Sequence, residues 1–446
     1  MQTSEIATSP NGQRAPIKFG NLLINFTTEF HRIWDSKGSG SKPGSFWRPT
    51  PAPDTLPGYF PLGDFAAPGF DNINGNIVVA VVCEGPAENG DTSKGKALSA
   101  PEDFERVWKD SNSRADADCT IWRPIPPTGY VALGMVCSNG RDKPLPNTVR
   151  CVREDLVVAS SVSNTIWSDN GSGARQDFSA WAIDPPSAEA GEIYFSPGTF
   201  IGVNSHGRPA ANTVAYSLRM QVPLQVAPPP APPVLSGHES PATEEIATIT
   251  QTARLPWFAV IDPDLTPLEQ FQTSPLYRLE RSDRYVLVGH GHNTGTVGQT
   301  FKWTAPRVQR SESLEQFTDA TTIRVASEWP LYVSNPMNLH VLLSASIRFS
   351  AKLSKAFTHT ETSHIGWTTS AAVEVITRIA KKTSVAVYVI ESRYRLLRED
   401  GVQVANDVLY TDIDSLYLIE YPPETDSKAP ASTQQPAESV ATGNAP

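Results

Sequence analysis

The sequence is poor in methionine and cysteine and contains no long apolar run. Of its 446 residues, 4 are Met and 4 are Cys. No stretch reaches the roughly 18 apolar residues that a membrane-spanning helix needs. Lys and Arg form no cluster and the net charge is −10, which argues against nucleic acid as a partner. The composition therefore favours a folded, acidic protein without a transmembrane helix.

The first residues lack the features of a secretory signal. Residues 1–14 are mostly polar and contain no apolar core segment. We therefore expect a protein that is cytoplasmic in the producing cell and that reaches a target cell by lysis or by a signal-independent route. Free thiols are favoured over disulfides in such a protein. The four cysteines concerned are Cys83, Cys119, Cys137 and Cys151.

Motifs of enzymes and metal sites are also missing. No GxSxG, Walker-type or GxGxxG sequence occurs, so we expect no enzymatic activity and no cofactor. His290 and His292 flank a glycine and would share one side of a strand, with Asp262 and Asp264 as further oxygen donors. Because no HExxH motif or comparable anchor is present, a glycine-flanked turn with hydrogen-bonded histidines is the favoured interpretation, and no metal is expected.

A tryptophan pattern occurs three times in the first half of the chain. Each copy holds two tryptophans 13 or 14 residues apart, with an Asp/Gly/Ser loop after the first in each case. The pairs are Trp34 and Trp47, Trp108 and Trp122, and Trp167 and Trp181. One copy cannot bury its own apolar face, whereas three copies can pack around a common axis. The repeat therefore predicts a pseudo-threefold β-prism, with a β-sandwich or a short propeller as the alternative.

Low-complexity segments divide the chain. A flexible N-terminus is expected at 1–18 and the repeat domain at 19–226. The proline-rich segment 227–248 is typical of a semi-rigid polyproline linker. A β-rich domain is expected at 249–422, and a disordered tail at 423–446, which has almost no large apolar residue. We therefore predict an all-β protein with a prism-like N-terminal domain and an elongated C-terminal β domain.

The repeat also resembles a known family. Three sequences carry the resemblance: Phe-Trp-Arg-Pro at 46–49, Val-Arg-Cys-Val-Arg-Glu-Asp-Leu at 149–156 and Ile-Trp-Ser-Asp-Asn-Gly-Ser-Gly-Ala at 166–174. They are similar to motifs of the vacuolar-protein-sorting "sixty-two" family, over about 19–225. The segment 122–134, with Trp-Arg-Pro and Gly-Tyr-Val-Ala-Leu-Gly, also resembles large bridge-type lipid-transfer proteins. The resemblance implies no general activity and transfers no catalytic residue.

A strictly alternating segment marks the second half of the chain. Between 344 and 354, apolar side chains alternate with polar or basic ones and no acidic residue occurs. A membrane-spanning β-strand needs about 9–11 such residues. The long Ser/Thr-rich strands resemble those of aerolysin-type and mosquitocidal-type pore-forming toxins. The candidates for membrane insertion are Ala345, Ile347, Phe349, Ala351, Leu353, Val373 and Val375. The alternative is an ordinary one-sided sheet.

The loops after the first tryptophan of each copy are candidate ligand sites. They combine small side chains, backbone donors and a carboxylate, which together can hold a sugar hydroxyl. The candidates are Asp35, Gly38, Gly40, Asp110, Asp169, Gly171 and Gly173. The alternative is that the aspartates cap their own turns. The repeat tryptophans themselves are expected in the core.

Together these features predict a toxin-like, insecticidal protein. It would recognise a glycan or lipid on a target cell and, after a conformational change, insert into the membrane as a homo-oligomeric β-barrel pore. One alternative is a non-lytic carbohydrate-binding, lipid-binding or trafficking adaptor, which predicts a stable complex without leakage. A second is a glycan or lipid hydrolase, which predicts a deep acidic pocket.

Overall fold

The fold is built almost entirely from antiparallel strands. The computed structural model describes residues 15–87, 93–189, 191–241, 246–260, 262–305, 330–332, 342–344, 347–352, 373–404 and 406–423. About 49% of the chain is strand and 5% is helix. The prediction of an all-β protein is therefore confirmed.

The repeat domain contains the first eighteen strands. They are β1 (Ile17–Phe19), β2 (Leu22–Thr27), β3 (Phe30–Asp35), β4 (Gly44–Pro49), β5 (Phe60–Pro61), β6 (Phe65–Pro68), β7 (Val79–Glu84), β8 (Leu98–Ser99), β9 (Asp103–Lys109), β10 (Cys119–Ile125), β11 (Tyr130–Val131), β12 (Val136–Asn139), β13 (Cys151–Arg153), β14 (Val157–Ser168), β15 (Ser179–Asp184), β16 (Glu192–Phe195), β17 (Phe200–Val203) and β18 (Ala215–Gln221). Among the described residues of this domain, 3-10 turns occur at Pro146–Thr148 and Glu154–Leu156.

Each copy of the repeat contributes to two small sheets. Copy one forms β3–β4–β6 and β1–β2–β7–β5, and copy two forms β9–β10–β12 and β8–β13–β11. In copy three the 12-residue strand β14 takes part in both, pairing with β15 through one half and with β18 through the other. The corresponding strands of copy one, β2 and β3, are separated by only two residues.

A β-bulge precedes the first tryptophan of every copy. In copy one, Arg32 lies opposite Trp47, whereas Trp34 lies opposite Phe46. Equivalent register shifts occur in copies two and three. Because side chains alternate along a strand, one extra residue moves the following side chain to the opposite face. The bulge therefore turns Trp34 inward, while Arg32 stays 4.6 Å from the ring centroid of Trp47.

Three buried tryptophans, one from each copy, contact one another. The ring centroids of Trp34, Trp108 and Trp167 lie 5.7–6.4 Å apart at angles of 70–74°, the edge-to-face geometry that aromatic rings favour. Each indole nitrogen donates to a neighbouring copy. The bonds run from Trp34 to Ala117 O at 2.6 Å, from Trp108 to Gln176 O at 2.8 Å and from Trp167 to Lys42 O at 2.8 Å. These contacts close a cycle of three, while the prism shape itself stays a prediction.

The C-terminal half contains longer strands and the one described α-helix. They are β19 (Leu224–Val226), β20 (Thr248–Pro256), α1 (Pro267–Thr273), β21 (Leu276–Asn293), β22 (Gln299–Ala305), β23 (Pro330–Tyr332), β24 (Leu342–Ser344), β25 (Phe349–Lys352), β26 (Val373–Ile379), β27 (Thr383–Leu397) and β28 (Val408–Tyr421), with a 3-10 turn at Trp257–Ala259. Five of these strands form one sheet, in the order β19–β20–β21–β27–β28.

A two-stranded stem packs on one face of this sheet. β22 and β26 pair in register from Gln299 opposite Ile379 to Ala305 opposite Val373. The stem buries its apolar side against three valines of β27. Gly289 makes the close approach possible, since a Cβ there would lie 2.1 Å from the ring of Trp303.

The proline-rich linker contacts the other face of the same sheet. Leu235 packs with Tyr285 and Tyr388. His238 stacks on His292, with ring centroids 4.2 Å apart and planes 7° from parallel. The described part of the linker therefore lies along the C-terminal sheet and does not hold the two halves apart.

The two halves of the chain share one hydrophobic core. Trp257, Phe258 and Phe271 surround the ring of Phe26 from β2, with centroids 5.8–6.2 Å away. Phe195 of β16 approaches Phe258 to 5.0 Å. Because aromatic side chains bury large areas, cutting the chain after the repeat would expose a substantial apolar surface.

The free-thiol expectation is met, and the C-terminal half contains two further local elements. Residues 373–379 form a strand, and a hairpin turn is present at 398–401, where Gly401 N donates to Arg398 O at 3.0 Å. Gly401 has φ of 86°, which suits glycine. The four cysteines are free thiols, and all but Cys83 are buried.

Candidate recognition loops and insertion segment

The Asp/Gly/Ser loops of the three copies lie against one another. We call them the recognition loops, residues 36–40, 110–114 and 169–173. A Cβ on Gly40 would stand 2.3 Å from Gly171 O, and one on Gly38 would stand 2.8 Å from Arg114 O. Such distances leave room for glycine alone. The structure thus brings Gly38, Gly40, Gly171 and also Gly173 into one cluster.

Asp169 lies inside its loop rather than facing solvent. Its Oδ1 accepts a hydrogen bond from Phe178 N at 2.7 Å, and Nε2 of His206 lies 2.6 Å from the same oxygen. Its Oδ2 lies 3.4 Å from Ser172 Oγ. A carboxylate engaged in this way caps its own turn, which is the alternative that the sequence left open.

Asp110 occupies the same position in copy two, but its carboxylate accepts fewer hydrogen bonds than that of Asp169. Its Oδ2 accepts from Ser113 Oγ at 2.6 Å, while its buried Oδ1 has no hydrogen-bond partner within the described ranges. Burial raises the pKa of Asp110, and the nearby carboxylates of Asp118 and Asp169 add to this, although the bond from Ser113 opposes it. This carboxyl group therefore holds its proton more tightly than an exposed aspartate.

Asp35 is not equivalent to the other two aspartates. Ser36 takes their place, since Ser36 N donates to Gly44 O at 2.9 Å as the two buried aspartates donate across their hairpins. Asp35 lies one residue earlier, where its carboxylate is 3.1 Å from Arg32 and accepts from Lys37 N at 3.2 Å. In the sequence, Asp35 follows its tryptophan by one residue, whereas Asp110 and Asp169 follow theirs by two. This offset did not by itself show that the three positions differ.

The exposed part of the recognition loops is backbone and a few long polar side chains. Gly38, Gly40, Gly171 and Gly173 are all exposed, whereas Asp110 and Asp169 are buried. Exposed side chains that the sequence reasoning missed are Lys37, Asn112, Arg114 and Asn170. A ligand at these loops would meet glycine backbone and these side chains first. The spacing of the tryptophans in the sequence located the three loops. It did not show which loop residues are buried and which face solvent.

The alternating segment around 347–352 lies on the repeat domain. β25, which holds Phe349 and Ala351, pairs antiparallel with β16 and so becomes the edge of the sheet β17–β15–β14–β18–β16–β25. Ile347 is 2% exposed within the shared core. Ala345 and Leu353 lie outside the described residues. We call residues 347–352 the docked strand.

Polar contacts fix the start of the docked strand. Ser196 N donates to Arg348 O at 2.6 Å, and Arg348 N donates to Ser196 Oγ at 2.8 Å. The Arg348 guanidinium also donates to Ser163 Oγ and lies 3.9 Å from the carboxylate of Asp184. A segment from the C-terminal half is thus held on the N-terminal half by both hydrogen bonds and apolar burial.

The other insertion candidates lie in the stem. Val373 pairs with Ala305, and Val375 is buried between the stem and the C-terminal sheet. Ile376 beside it is 62% exposed. The apolar side of the stem is therefore packed as in a one-sided sheet, and insertion of these two valines stays a prediction.

His290 and His292 lie within the long strand β21, so the expected turn is wrong. The glycines between and before them leave room for the stem, and the histidines face the linker instead. Burial lowers the pKa of His290, as do His292 and His238. Asp262 and Asp264 are elsewhere. No group of three potential metal ligands forms within the described ranges.

Asp262 and Asp264 are instead paired with Arg398. The Arg398 guanidinium lies 2.7 Å from each carboxylate oxygen of Asp262 and 2.9 Å from Asp264. Tyr277 donates a further bond to Asp262 at 2.9 Å. These carboxylates therefore stabilise the hairpin turn between β27 and β28 through their contacts with Arg398.

Comparison with known proteins identifies the first half of the chain. Residues 3–228 match the family model described as vacuolar protein sorting-associated protein 62, which is about half of the chain. The chain belongs to this family. The matched region ends just after β19 and thus contains the whole tryptophan repeat and all three recognition loops.

Two solved structures show distant similarity. GNIP1Aa from Chromobacterium piscinae is 24% identical over 45% of this chain and 37% of its own, with a TM-score of 0.35. This chain thus spans little more than a third of that protein. Cry35Ab1 is 10% identical over 73% of this chain and 89% of its own, with a TM-score of 0.33. Neither likeness is close enough to carry a functional conclusion. No curated protein sequence matches the chain.

In the described part of the chain, no helix is long and apolar enough to span a bilayer.

Proposed function

We propose that the chain is a toxin-like protein whose repeat domain recognises a target cell surface and whose C-terminal half inserts a β-hairpin into the membrane. The observation that carries this proposal is the docked strand. A segment with the alternation of a membrane strand is stored as an edge strand on the domain that would bind the target. Binding and release are thereby coupled through one sheet.

The docked strand is held by a short set of backbone pairs, by the polar contacts of Arg348 and by burial of Ile347. Four residue pairs join β25 to β16, and burial of one isoleucine contributes about 1.5–3 kcal/mol. A strand at a sheet edge has a second, unpaired side that can join another strand. In a membrane, closure of a barrel satisfies all backbone groups, which favours insertion of several copies together.

The stem supplies a starting point for a longer hairpin. β22 and β26 already pair antiparallel over seven residues, and their open ends lead into 306 and from 372. A spanning strand needs about 9–11 residues, so a few additional pairs in the same register reach that length. Apart from Ile376, the exposed side of the stem is polar, with an ion pair between Lys302 and Glu374.

A disulfide between β16 and β25 tests release of the docked strand. Glu192 and Lys352 are directly paired, and opposed Cα atoms in an antiparallel pair lie about 4.5–5.5 Å apart, within the range for a disulfide. We expect Glu192→Cys/Lys352→Cys, in a Cys83→Ala background, to lose leakage activity when oxidised and to regain it after reduction. Leakage is measured as dye release from liposomes of total lipid from several cell types, including insect gut.

The single variants Glu192→Cys and Lys352→Cys are the matched controls, since neither can form the bond. They should leak under both redox conditions. Full leakage by the oxidised double variant would show that leakage does not require release of the docked strand. Absence of leakage from folded, monodisperse wild-type protein on all lipids would remove the pore-forming proposal.

The near-complete burial of Ile347 favours a second candidate, a non-lytic surface-binding protein in which β25 is a permanent edge strand. It predicts that wild-type protein binds the same liposomes or a glycan without leakage in either redox state.

A further inference from the structure

A cavity lies beside the turn between β1 and β2. Its volume is about 420 Å³, within the range of about 300–1,000 Å³ typical of small-ligand sites. The polar side chains that line it are Lys18, Asn21, Lys94, Arg153, Asp155 and Gln221. We call it the basic cavity. It is separate from the recognition loops.

The charge of the basic cavity is opposite to that of the whole chain. Three cationic side chains and one carboxylate line it, a formal balance of 3 − 1 = +2, whereas the chain carries −10. Lys94 Nζ lies 3.7 Å from Asp155 and its side chain is 70% exposed. Lys18 is exposed and takes part in no ion pair that the described residues contain. The Lys18 ammonium is therefore available to an anion, and the Lys94 ammonium is largely exposed beside its partner Asp155.

The wall of the basic cavity is built from fixed groups. Arg153 donates to both carboxylate oxygens of Asp155, at 2.5 and 3.2 Å, and to Gly95 O at 2.7 Å, and only 12% of its side chain is exposed. The amide of Asn21 donates to Gly95 O at 3.0 Å and to Glu84 at 3.1 Å. We call these hydrogen-bonded groups the frame of the cavity. They hold the Arg153 guanidinium in one position without a ligand.

The glutamate beside the frame is held away from the cavity lining by backbone donors. The carboxylate of Glu84 accepts bonds from Ala97 N at 2.9 Å and Leu98 N at 3.0 Å, in addition to the Asn21 amide. Glu84 is not among the residues that line the cavity. Gly20, with φ of 58°, closes the turn tightly, since a Cβ there would lie 3.1 Å from the Leu156 side chain.

The basic cavity lies at the same end of a sheet as the docked strand. Gln221 of β18 pairs with Glu192 of β16, which pairs on its other side with Lys352 of β25. Strands in a sheet are about 4.8 Å apart, so Gln221 and Lys352 are separated by roughly 10 Å. A ligand in the basic cavity would therefore stand close to the segment that we propose to be released.

We propose that the basic cavity binds a phosphate monoester, with the headgroup of an anionic lipid as its source. Lysine ammonium groups are compact charges suited to phosphate, and a guanidinium adds directed donors. The proposal deepens the function proposed above and rests on it for the lipid source, because headgroup binding would bring the bilayer to the docked strand. A soluble phosphate ester would offer the same chemistry.

The test compares two pairs of charge-removing variants of the full chain. Lys18→Gln/Lys94→Gln removes two charges from the basic cavity and leaves its frame intact. Arg123→Gln/Lys143→Gln removes two charges from ion pairs elsewhere in the repeat domain. Sedimentation with phosphatidylcholine vesicles, with and without phosphatidic acid, measures lipid binding. Calorimetry with glycerol 3-phosphate measures binding of a soluble ester.

We expect wild-type protein and the control variant to prefer vesicles with phosphatidic acid by roughly tenfold or more, and the cavity variant to lose that preference. Loss of glycerol 3-phosphate binding in the cavity variant, without any vesicle binding by wild type, supports the phosphate site but makes a soluble ester its ligand. Equal loss in both variants, or no phosphate-dependent binding at all, overturns the site.

Leakage separates this inference from the proposed function. Binding to phosphatidic acid that the cavity variant loses, without dye release by wild type, retains the site and removes pore formation. Dye release that is the same with and without phosphatidic acid, and the same in the cavity variant, retains pore formation, and it overturns the site when sedimentation also shows no preference for phosphatidic acid.

Discussion

The recognition-loop end of the repeat domain and its docked edge are held in different ways. At the loop end, three copies exchange indole hydrogen bonds in a closed cycle and bury three tryptophans together. At the edge, one short strand from a distant part of the chain is added to an existing sheet through four pairs. The contacts of a closed cycle are lost together on unfolding, whereas an edge strand can detach while the rest of the sheet stays folded. We therefore expect the loop end to be rigid and the docked edge to detach more easily, as the proposed roles in recognition and insertion require.

The largest effect is expected from breaking the cycle. Trp108→Ala should lower the free energy of unfolding by about 3–5 kcal/mol, since it removes a fully buried ring and leaves a cavity. Urea denaturation followed by tryptophan fluorescence measures it. Ile376→Ala, on the exposed side of the stem, is the control and should change stability by about 0.5 kcal/mol or less. Similar values for the two variants would contradict a cooperative tryptophan core.

A smaller global effect is expected at the docked strand. Ile347→Ala should cost less than about 2 kcal/mol in global stability, although its burial matches that of the core, because the strand can detach without unfolding the rest. Amide hydrogen exchange should rise in β16 while the tryptophan core stays protected. A loss equal to that of Trp108→Ala, with uniform exchange, would make the docked strand part of the global core.

Replacing the two equivalent aspartates Asp169 and Asp110 by asparagine should change the free energy of unfolding in different directions. Asp169→Asn should destabilise by about 1–3 kcal/mol, because a neutral amide oxygen replaces the charged acceptor that Phe178 N and His206 contact. Asp110→Asn should be neutral or mildly stabilising at pH 7, since burial raises the pKa of Asp110 and its ionisation therefore costs stability there. Stability of the wild type should gain from Asp110 as pH falls, and Asp110→Asn should abolish that gain. Equal losses in both variants would contradict this assignment.

The smallest effect is expected at the linker. The pKa of His290 is lowered by burial, His292 and His238, so below its ordinary value of 6.5 the unfolded chain takes up a proton that the folded chain resists. Stability should therefore fall as pH drops through about 6.5, and less steeply in His290→Gln. The groups facing this site are His238, His292, Ser384 and the ring of Tyr421. An unchanged slope between pH 7 and 5 would contradict the assignment.

Some features of the fold followed from local pattern. The tryptophan repeat and a strand within the alternating segment 344–354, found as β25, depend on neighbouring residues and were predicted. The strand at His290 was not, because its glycines, normally turn residues, serve the close approach of Trp303. The offset of Asp35 from its counterparts was missed for a related reason, since only the paired strand shows which residue is equivalent.

The sequence by itself determined the all-β class, the threefold recurrence and the location of the recognition loops and alternating strand, because each is encoded by residues close together in the chain. Only the tertiary structure decided which side chains face inward, that β25 joins the repeat domain, and that Lys18, Lys94 and Arg153 line one cavity. These arrangements depend on contacts between residues far apart in the chain, and a one-residue bulge is enough to reverse the face of everything that follows.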